Sequence, residues 1–205
     1  MAVRVIIPPS PIVTPADIAG DHAADDATVA AMIAAVTEEI DGPTGWLGRA
    51  IGPQTLELTF PAFCGRAVRL PCPPIIGNIS LKYLDGAEVV QTVDTANYRL
   101  VDDQLWLARG FSFPPIACEP DAIRIRYDAG YNGAGDGKTG AIPERARQAI
   151  ILSVQHMASL DVESLYLRVD EVDGVGRREF TLSDQASSII ERTCDRLLDG
   201  LRVFI

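Results

Sequence analysis

Gln54-Thr55-Leu56-Glu57-Leu58-Thr59-Phe60 is where the hydrophobic period of this chain changes. Leu56, Leu58 and Phe60 recur at every second position with Thr55, Glu57 and Thr59 between them, which reads as a strand with one apolar and one solvent-facing side. The two-residue period persists downstream. Val68-Arg69-Leu70 is short and bounded by Pro71, Pro73 and Pro74. Residues 79–84 and 88–93 flank Asp85-Gly86, a hairpin signal because both turn residues tolerate positive φ. Residues 98–101 and 105–107 flank Asp102-Asp103, a second hairpin, and residues 123–127 alternate with arginines on the exposed side. No connection here is long enough for a helical crossover, so the strands are expected to pair antiparallel.

Outside this region the spacing is helical. Thr14-Pro15-Ala16-Asp17 carries a capping hydroxyl, proline at the first helical position and an acid in the first turn, and Gly20 keeps that helix short. A longer helix starts near Asp25 and Asp26, with Val29, Met32, Ile33, Val36 and Ile40 at three- and four-residue steps until Gly42-Pro43 ends it. Trp46, Leu47 and Ile51 are expected to pack back on the same core. After Pro143, Ala146, Ile150, Val154, Met157 and Leu160 share a stripe, with Glu144 at the positive end of the helix dipole. Residues 161–180 read as irregular and charged, around Gly174 and Gly176, with a strand at 179–182. Ser183 then caps a last helix, with Asp184 in its first turn. Ala186, Ile189, Ile190, Thr193, Cys194, Leu197, Leu198 and Leu201 line one side of it. The expected class is α+β: N-terminal helices, a central antiparallel β region, a helix after Pro143, and a C-terminal helix and arm. The segments are an extended N-terminal arm (1–13), a body (14–160), an irregular loop (161–182) and a C-terminal helix and arm (183–205).

Hydrophobic residues make up 47% of the 205 positions and charged residues 22%, a globular composition. The formal charge of −10 argues against a protein whose task is gripping phosphates, but does not exclude one that DNA merely slides past. No stretch approaches the roughly 18 apolar residues that span a bilayer. Pro8, Pro9 and Pro11 interrupt the N-terminus before a signal-peptide core could form. Cys64, Cys72, Cys118 and Cys194 show no framework spacing and read as reduced, mostly buried thiols of an intracellular protein.

Little in the sequence carries chemistry. The loop Gly130 to Gly140 ends in Gly137-Lys138-Thr139, like a phosphate-binding loop, but the required upstream glycine position is Asn132 and Gly133 sits one residue late. His22 and His156 lie in separate helical regions with nothing that marks a nucleophile–base–acid set. Cys64 and Cys72, with seven residues between them and no second pair, do not match structural zinc spacing. No cofactor, metal or catalytic residue is assigned. Arg177-Arg178 is the one basic pair of note, fit for a partner or phosphate contact or for a solvated loop. The C-terminal run Leu197-Leu198-Asp199-Gly200-Leu201-Arg202-Val203-Phe204-Ile205 is apolar to its last residue. Chain ends ordinarily fray into water, so such an end is either folded onto its own domain or buried in a partner.

The order of these features adds up to a pattern. A helix over 26–39 is followed by Thr44-Gly45, the strand at 54–60, the proline-bounded 68–74, the hairpin at Asp85-Gly86, Asn97-Tyr98-Arg99-Leu100, and Cys118-Glu119-Pro120-Asp121-Ala122-Ile123-Arg124-Ile125. Its most specific part is Tyr127-Asp128-Ala129-Gly130-Tyr131, a glycine-rich loop, then Ile142-Pro143-Glu144-Arg145-Ala146-Arg147-Gln148-Ala149-Ile150. The chain resembles the head–tail connector (adaptor, or head-completion) proteins of long-tailed phages and related gene transfer agents. Two features depart from that family: the length of 161–182, and a helix ending in Gln155-His156-Met157 where relatives are aromatic-rich. The resemblance implies a structural, non-enzymatic virion protein of the neck, assembled in the host bacterial cytoplasm. It would form a homo-oligomeric ring, dodecameric by family expectation, beneath the portal protein. Leu197, Leu198, Leu201, Arg202, Val203, Phe204 and Ile205 would dock the portal, and Arg177 and Arg178 would lie in a partner or lumen loop. The other face would meet a stopper or tail protein, and DNA would pass through the lumen without sequence-specific binding. The competing readings are a small nucleotide-binding enzyme built on the 130–140 loop and a tail-side terminator or stopper.

Overall fold

The computed structural model describes residues 1–159, 169–172, 176–179 and 184–203. The strands are β1 (Ala2–Ile7), β2 (Gln54–Phe60), β3 (Ala67–Arg69), β4 (Ile75–Leu84), β5 (Val90–Thr92), β6 (Tyr98–Val101), β7 (Gln104–Leu107), β8 (Ile123–Ala129), β9 (Val169–Val172) and β10 (Gly176–Glu179). The helices are α1 (Ala27–Ile40), α2 (Glu144–Ser159) and α3 (Asp184–Asp199). The protein is α+β, and every strand pairing among the described residues is antiparallel. Its contacts divide into two units, each discontinuous in sequence. Met1–Ser10, Ile40–Ile142 and Arg202–Ile205 make the first, Pro11–Glu39 and Pro143–Leu201 the second. These units run across the successive segments 1–13, 14–160, 161–182 and 183–205.

The first unit holds a five-stranded sheet in the order β1-β2-β8-β4-β5 and a three-stranded sheet in the order β3-β7-β6. Both contribute to one core, in which Leu56, Leu58, Leu81, Leu105, Ile123, Ile125 and Tyr127 are fully buried. Each such side chain stabilises the fold by about 1.5–3 kcal/mol. Tyr127 keeps its hydroxyl satisfied by donating to the carbonyl of Pro71 at 2.8 Å. β2 and β8 pair without interruption from Gln54↔Ala129 to Phe60↔Ile123. β4 starts four residues before its expected position, because a bulge absorbs Gly77 (φ 127°) and Asn78 (φ 50°) and Asn78 then donates to Asp128 at 2.6 Å. Residues Ala2–Ile7 of the N-terminal segment are extended and form the edge strand β1.

Glu57 departs from the solvent-facing side expected for it. It is 4% exposed, because both neighbouring strands flank it and place Arg4 and Arg126 directly opposite. Arg4 Nε donates to its Oε1 at 3.0 Å and Arg126 to its Oε2 at 3.1 Å. Burial disfavours the carboxylate, but the bonds and charges of the two guanidiniums outweigh that and hold Glu57 below the usual range.

In the second unit Asp26 caps α1, its Oδ1 accepting from the Thr28 and Val29 amides at 2.8 and 3.0 Å. Val29, Ile33, Val36 and Ile40 form the buried stripe of that helix. The short helix expected after Thr14 is a 3-10 turn, Pro15–Asp17. α2 packs on α3, burying Ala146, Ala149, Ile150 and Val154 on one side and Cys194 and Leu198 on the other. Met157 is exposed, since it lies in the last turn of α2; Leu160 falls outside the described residues. Ile189 and Thr193 also face solvent, being a quarter turn or more round α3 from the Cys194–Leu198–Leu201 line. Residues 161–182 were expected to be irregular, with a strand at 179–182. The described part is instead the hairpin of β9 and β10, in register from Gly176↔Val172 to Glu179↔Val169.

Candidate functional surfaces

The last described residues, Arg202 and Val203, lie on a loop of the first unit that Asp41 organises. Asp41 follows α1 and is 6% exposed. Its Oδ1 accepts from the Ile51 amide at 2.7 Å and Gln54 Nε2 at 2.8 Å, and its Oδ2 from the Gly52 amide at 3.1 Å. Burial is the largest influence on this carboxyl and raises its pKa, while the donated hydrogen bonds pull the other way. The turn it closes needs glycine twice: Gly42 has φ 77°, and a Cβ on Gly45 would meet the Ile40 carbonyl carbon at 2.4 Å. Leu47 and Ile51 are fully buried as expected, whereas Trp46 is 38% exposed. Exposure lets the Trp46 ring receive the Arg202 guanidinium, 5.7 Å from its centroid. The Val203 amide donates to the Leu47 carbonyl at 2.8 Å.

The residues expected to dock a partner through the C-terminus therefore differ among themselves. Leu198 and Leu201 are 4% and 2% exposed and belong to the protein's own interior. Leu197 and Val203 are half-buried, Arg202 is exposed, and Phe204 and Ile205 lie outside the described residues. Arg177 and Arg178 stand on β10 directly across from Glu171 and Asp170 of β9.

The glycine-rich loop is a closed turn. Gly133 and Gly140 exchange both backbone hydrogen bonds, at 2.9 and 3.1 Å. Thr139 Oγ1 lies 2.6 Å from the Gly130 carbonyl and accepts from the Asn132 amide, and the Thr139 amide donates to Asn132 Oδ1. The hydroxyl and amide that a phosphate cradle would offer are engaged within the loop, and α2 opens only at Glu144. Two of the four thiols are exposed, Cys64 and Cys118, against the expectation of mostly buried ones; Cys72 and Cys194 are buried. Burial, followed by the nearby Asp41 charge, pushes the Cys72 thiol up to about 11. The two ring nitrogens of His22 each lie 3.1 Å from a backbone carbonyl, those of Ala23 and Ile18. Among the described residues no three His, Cys, Asp or Glu side chains form a metal-binding group, and no helix is long and apolar enough to cross a membrane.

Two features escaped the sequence reading. Asp41 had no visible signal beyond an acid ahead of Gly42-Pro43. The cluster of Phe60, Phe63, Phe111 and Phe113, with ring centroids 5.5–6.2 Å apart and Arg66 over Phe113, joins rings distant in sequence.

No protein-family model matches the sequence, and no curated protein matches it. Solved structures do match. A chain from the neck of a native gene transfer agent particle, computed with C12 symmetry, superposes with a TM-score of 0.62 at 17% identity. The match covers 100% of this chain and 97% of that one. The fold is that of a gene transfer agent neck chain. The neck of an empty particle, computed with C6 symmetry, gives 0.64 at 18% identity, and a chain of the native gene transfer agent virion gives 0.62 at 20%, with the same coverage. At these identities the likeness to the neck chains is one of architecture and transfers no individual residue.

Proposed function

We propose that this protein is a structural subunit of a virion neck, a head–tail connector (adaptor) that forms a ring beneath the portal and joins the DNA-filled head to the tail. The observation that carries the reading is the fold likeness over the whole chain to gene transfer agent neck chains, one of them in a C12-symmetric reconstruction. A ring of copies, dodecameric by the same likeness, leaves DNA a central passage, and a charge of −10 per copy disfavours its retention there. The partners are further copies of the chain, the portal protein on one side and a stopper or tail protein on the other. The engaged hydroxyl and amide of Thr139 favour this structural role over a nucleotide-binding one. With Leu198 and Leu201 occupied inside the protein, portal docking falls to Leu197 and Arg202–Ile205. Deleting the gene in the producing cell tests the reading. Electron micrographs should show filled heads without tails, and normally tailed particles would refute it.

A further inference from the structure

In this acidic chain one groove on the outer face of the β3-β7-β6 sheet gathers three arginines. Arg66, Arg99 and Arg109 line a groove of about 620 Å³ together with Trp106, Tyr98 and Ala96, and its lining contains no carboxylate. The backbone sets their positions. Arg99 and Trp106 are register partners on β6 and β7, so their side chains leave the same face side by side. The turn after β7, closed by the Phe111 amide on the Ala108 carbonyl, presents Arg109. Arg66 is fixed beside it, donating to the Ala108 carbonyl at 2.6 Å and the Phe111 carbonyl at 3.3 Å. Among the described residues Arg99 and Arg109 form no ion pair, although the chain holds 28 acidic residues against 18 basic ones. Trp106 stays 42% exposed between them.

We propose that this groove receives a carboxylate-bearing segment of a second copy of the chain, namely the loop at residues 21–26. The proposal rests on the neck-ring reading and supplies the contact such a ring needs. A cyclic ring joins two different patches of neighbouring copies. Copies that each carry −10 repel one another, and a contact where unlike charges meet offsets that repulsion and fixes the register. The loop contains Asp21, Asp25 and Asp26 and no Lys or Arg; Asp21 and Asp25 are exposed and, among the described residues, form no ion pair. Asp26 is already committed to capping α1. Planar guanidiniums are suited to bidentate capture of such carboxylates, and the indole supplies apolar contact beside them.

A charge exchange in the full-length protein tests this, read by sedimentation velocity. Arg99→Glu with Arg109→Glu, and separately Asp21→Lys with Asp25→Lys, should each weaken self-association at least about tenfold, since each pairs like charges. An equimolar mixture of the two variants should associate again, because every groove then meets a loop of opposite charge. Restoration in the mixture also shows that both variants are folded. Unchanged association of the groove variant overturns the contact. So does a groove variant that is weakened but not rescued by the mixture, and so does loss of binding to a short DNA duplex in place of self-association. A wild-type protein that stays monomeric at every concentration and salt overturns the ring reading itself, a result distinct from failure of the groove alone.

Discussion

Two C-terminal truncations separate the part of this segment that holds the protein together from the part left for a partner. Ending the chain after Asp195 removes Leu198 and Leu201, both almost fully buried, together with the last turn of α3, the helix that packs against α2. Losing two buried leucines costs about 4–6 kcal/mol, at about 2–3 kcal/mol each. That is a large share of the roughly 5–15 kcal/mol that stabilises a typical domain. Ending it after Leu201 removes only Arg202–Ile205. The described losses are then the Val203–Leu47 hydrogen bond, about 0.5–1.5 kcal/mol, and the Arg202–Trp46 contact, about 0.5–1 kcal/mol. At about 2–4 °C per kcal/mol for a chain of this size, the longer deletion, which loses the shorter one's contacts as well, should lower Tm by about 10–34 °C and the shorter by about 2–10 °C. Urea and thermal unfolding measure both, and addition of each protein to tailless heads measures docking. Equal stability of the two truncated forms would refute the assignment of Leu198 and Leu201 to the interior. A shorter form that folds and still joins heads would move portal docking away from the C-terminus.

Asp41→Ala leaves the buried Ile51 and Gly52 amides without an acceptor and should cost about 2–6 kcal/mol in urea unfolding, with Asp41→Asn costing less because one oxygen remains. The folded-state pKa of Glu57 lies below its ordinary 4.5, so the stability it contributes is complete above that pH and is lost as pH falls through the depressed value. Glu57→Gln should flatten that acid limb of a stability–pH curve, and an unaltered limb would contradict the pairing with Arg4 and Arg126. Cys72, raised to about 11 from 9.0, contributes stability that is complete below pH 9 and lost as pH rises toward 11; Cys72→Ala should flatten the alkaline limb. Self-association should be greatest at intermediate salt. Raising ionic strength from about 0.01 to 0.15 M shortens the Debye length from about 30 to 8 Å and screens the repulsion between copies, while about 1 M also weakens the paired charges. A steady fall in association from the lowest salt upward would show that net repulsion is not the controlling effect.

Local pattern was enough to determine several elements of this protein, though not the β9–β10 hairpin. The alternation in Gln54–Phe60 gives β2 with its observed bounds, Asp102-Asp103 gives the β6–β7 turn with Asp102 at φ 54°, and the stripe from Val29 to Ile40 gives α1. These features depend on neighbours a few residues apart, which side-chain periodicity reports directly. What β2 faces was another matter. Glu57 has the sequence signature of a solvated position, yet strands 53 and 69 residues away in sequence bring Arg4 and Arg126 onto it and bury it. Leu198 and Leu201 likewise read as fit for the protein's own core or for a partner until α2 packs on α3 and both are buried, and Asp41 reads as a loop acid until three donors converge on it. The arginine groove assembles from Arg99 on β6, Arg66 just before β3 and Arg109 in the turn after β7, none of them adjacent in sequence and brought together only by the sheet. Burial and charge pairing depend on which distant segments meet, and that is set by the packing of the whole core, to which no short window of sequence has access.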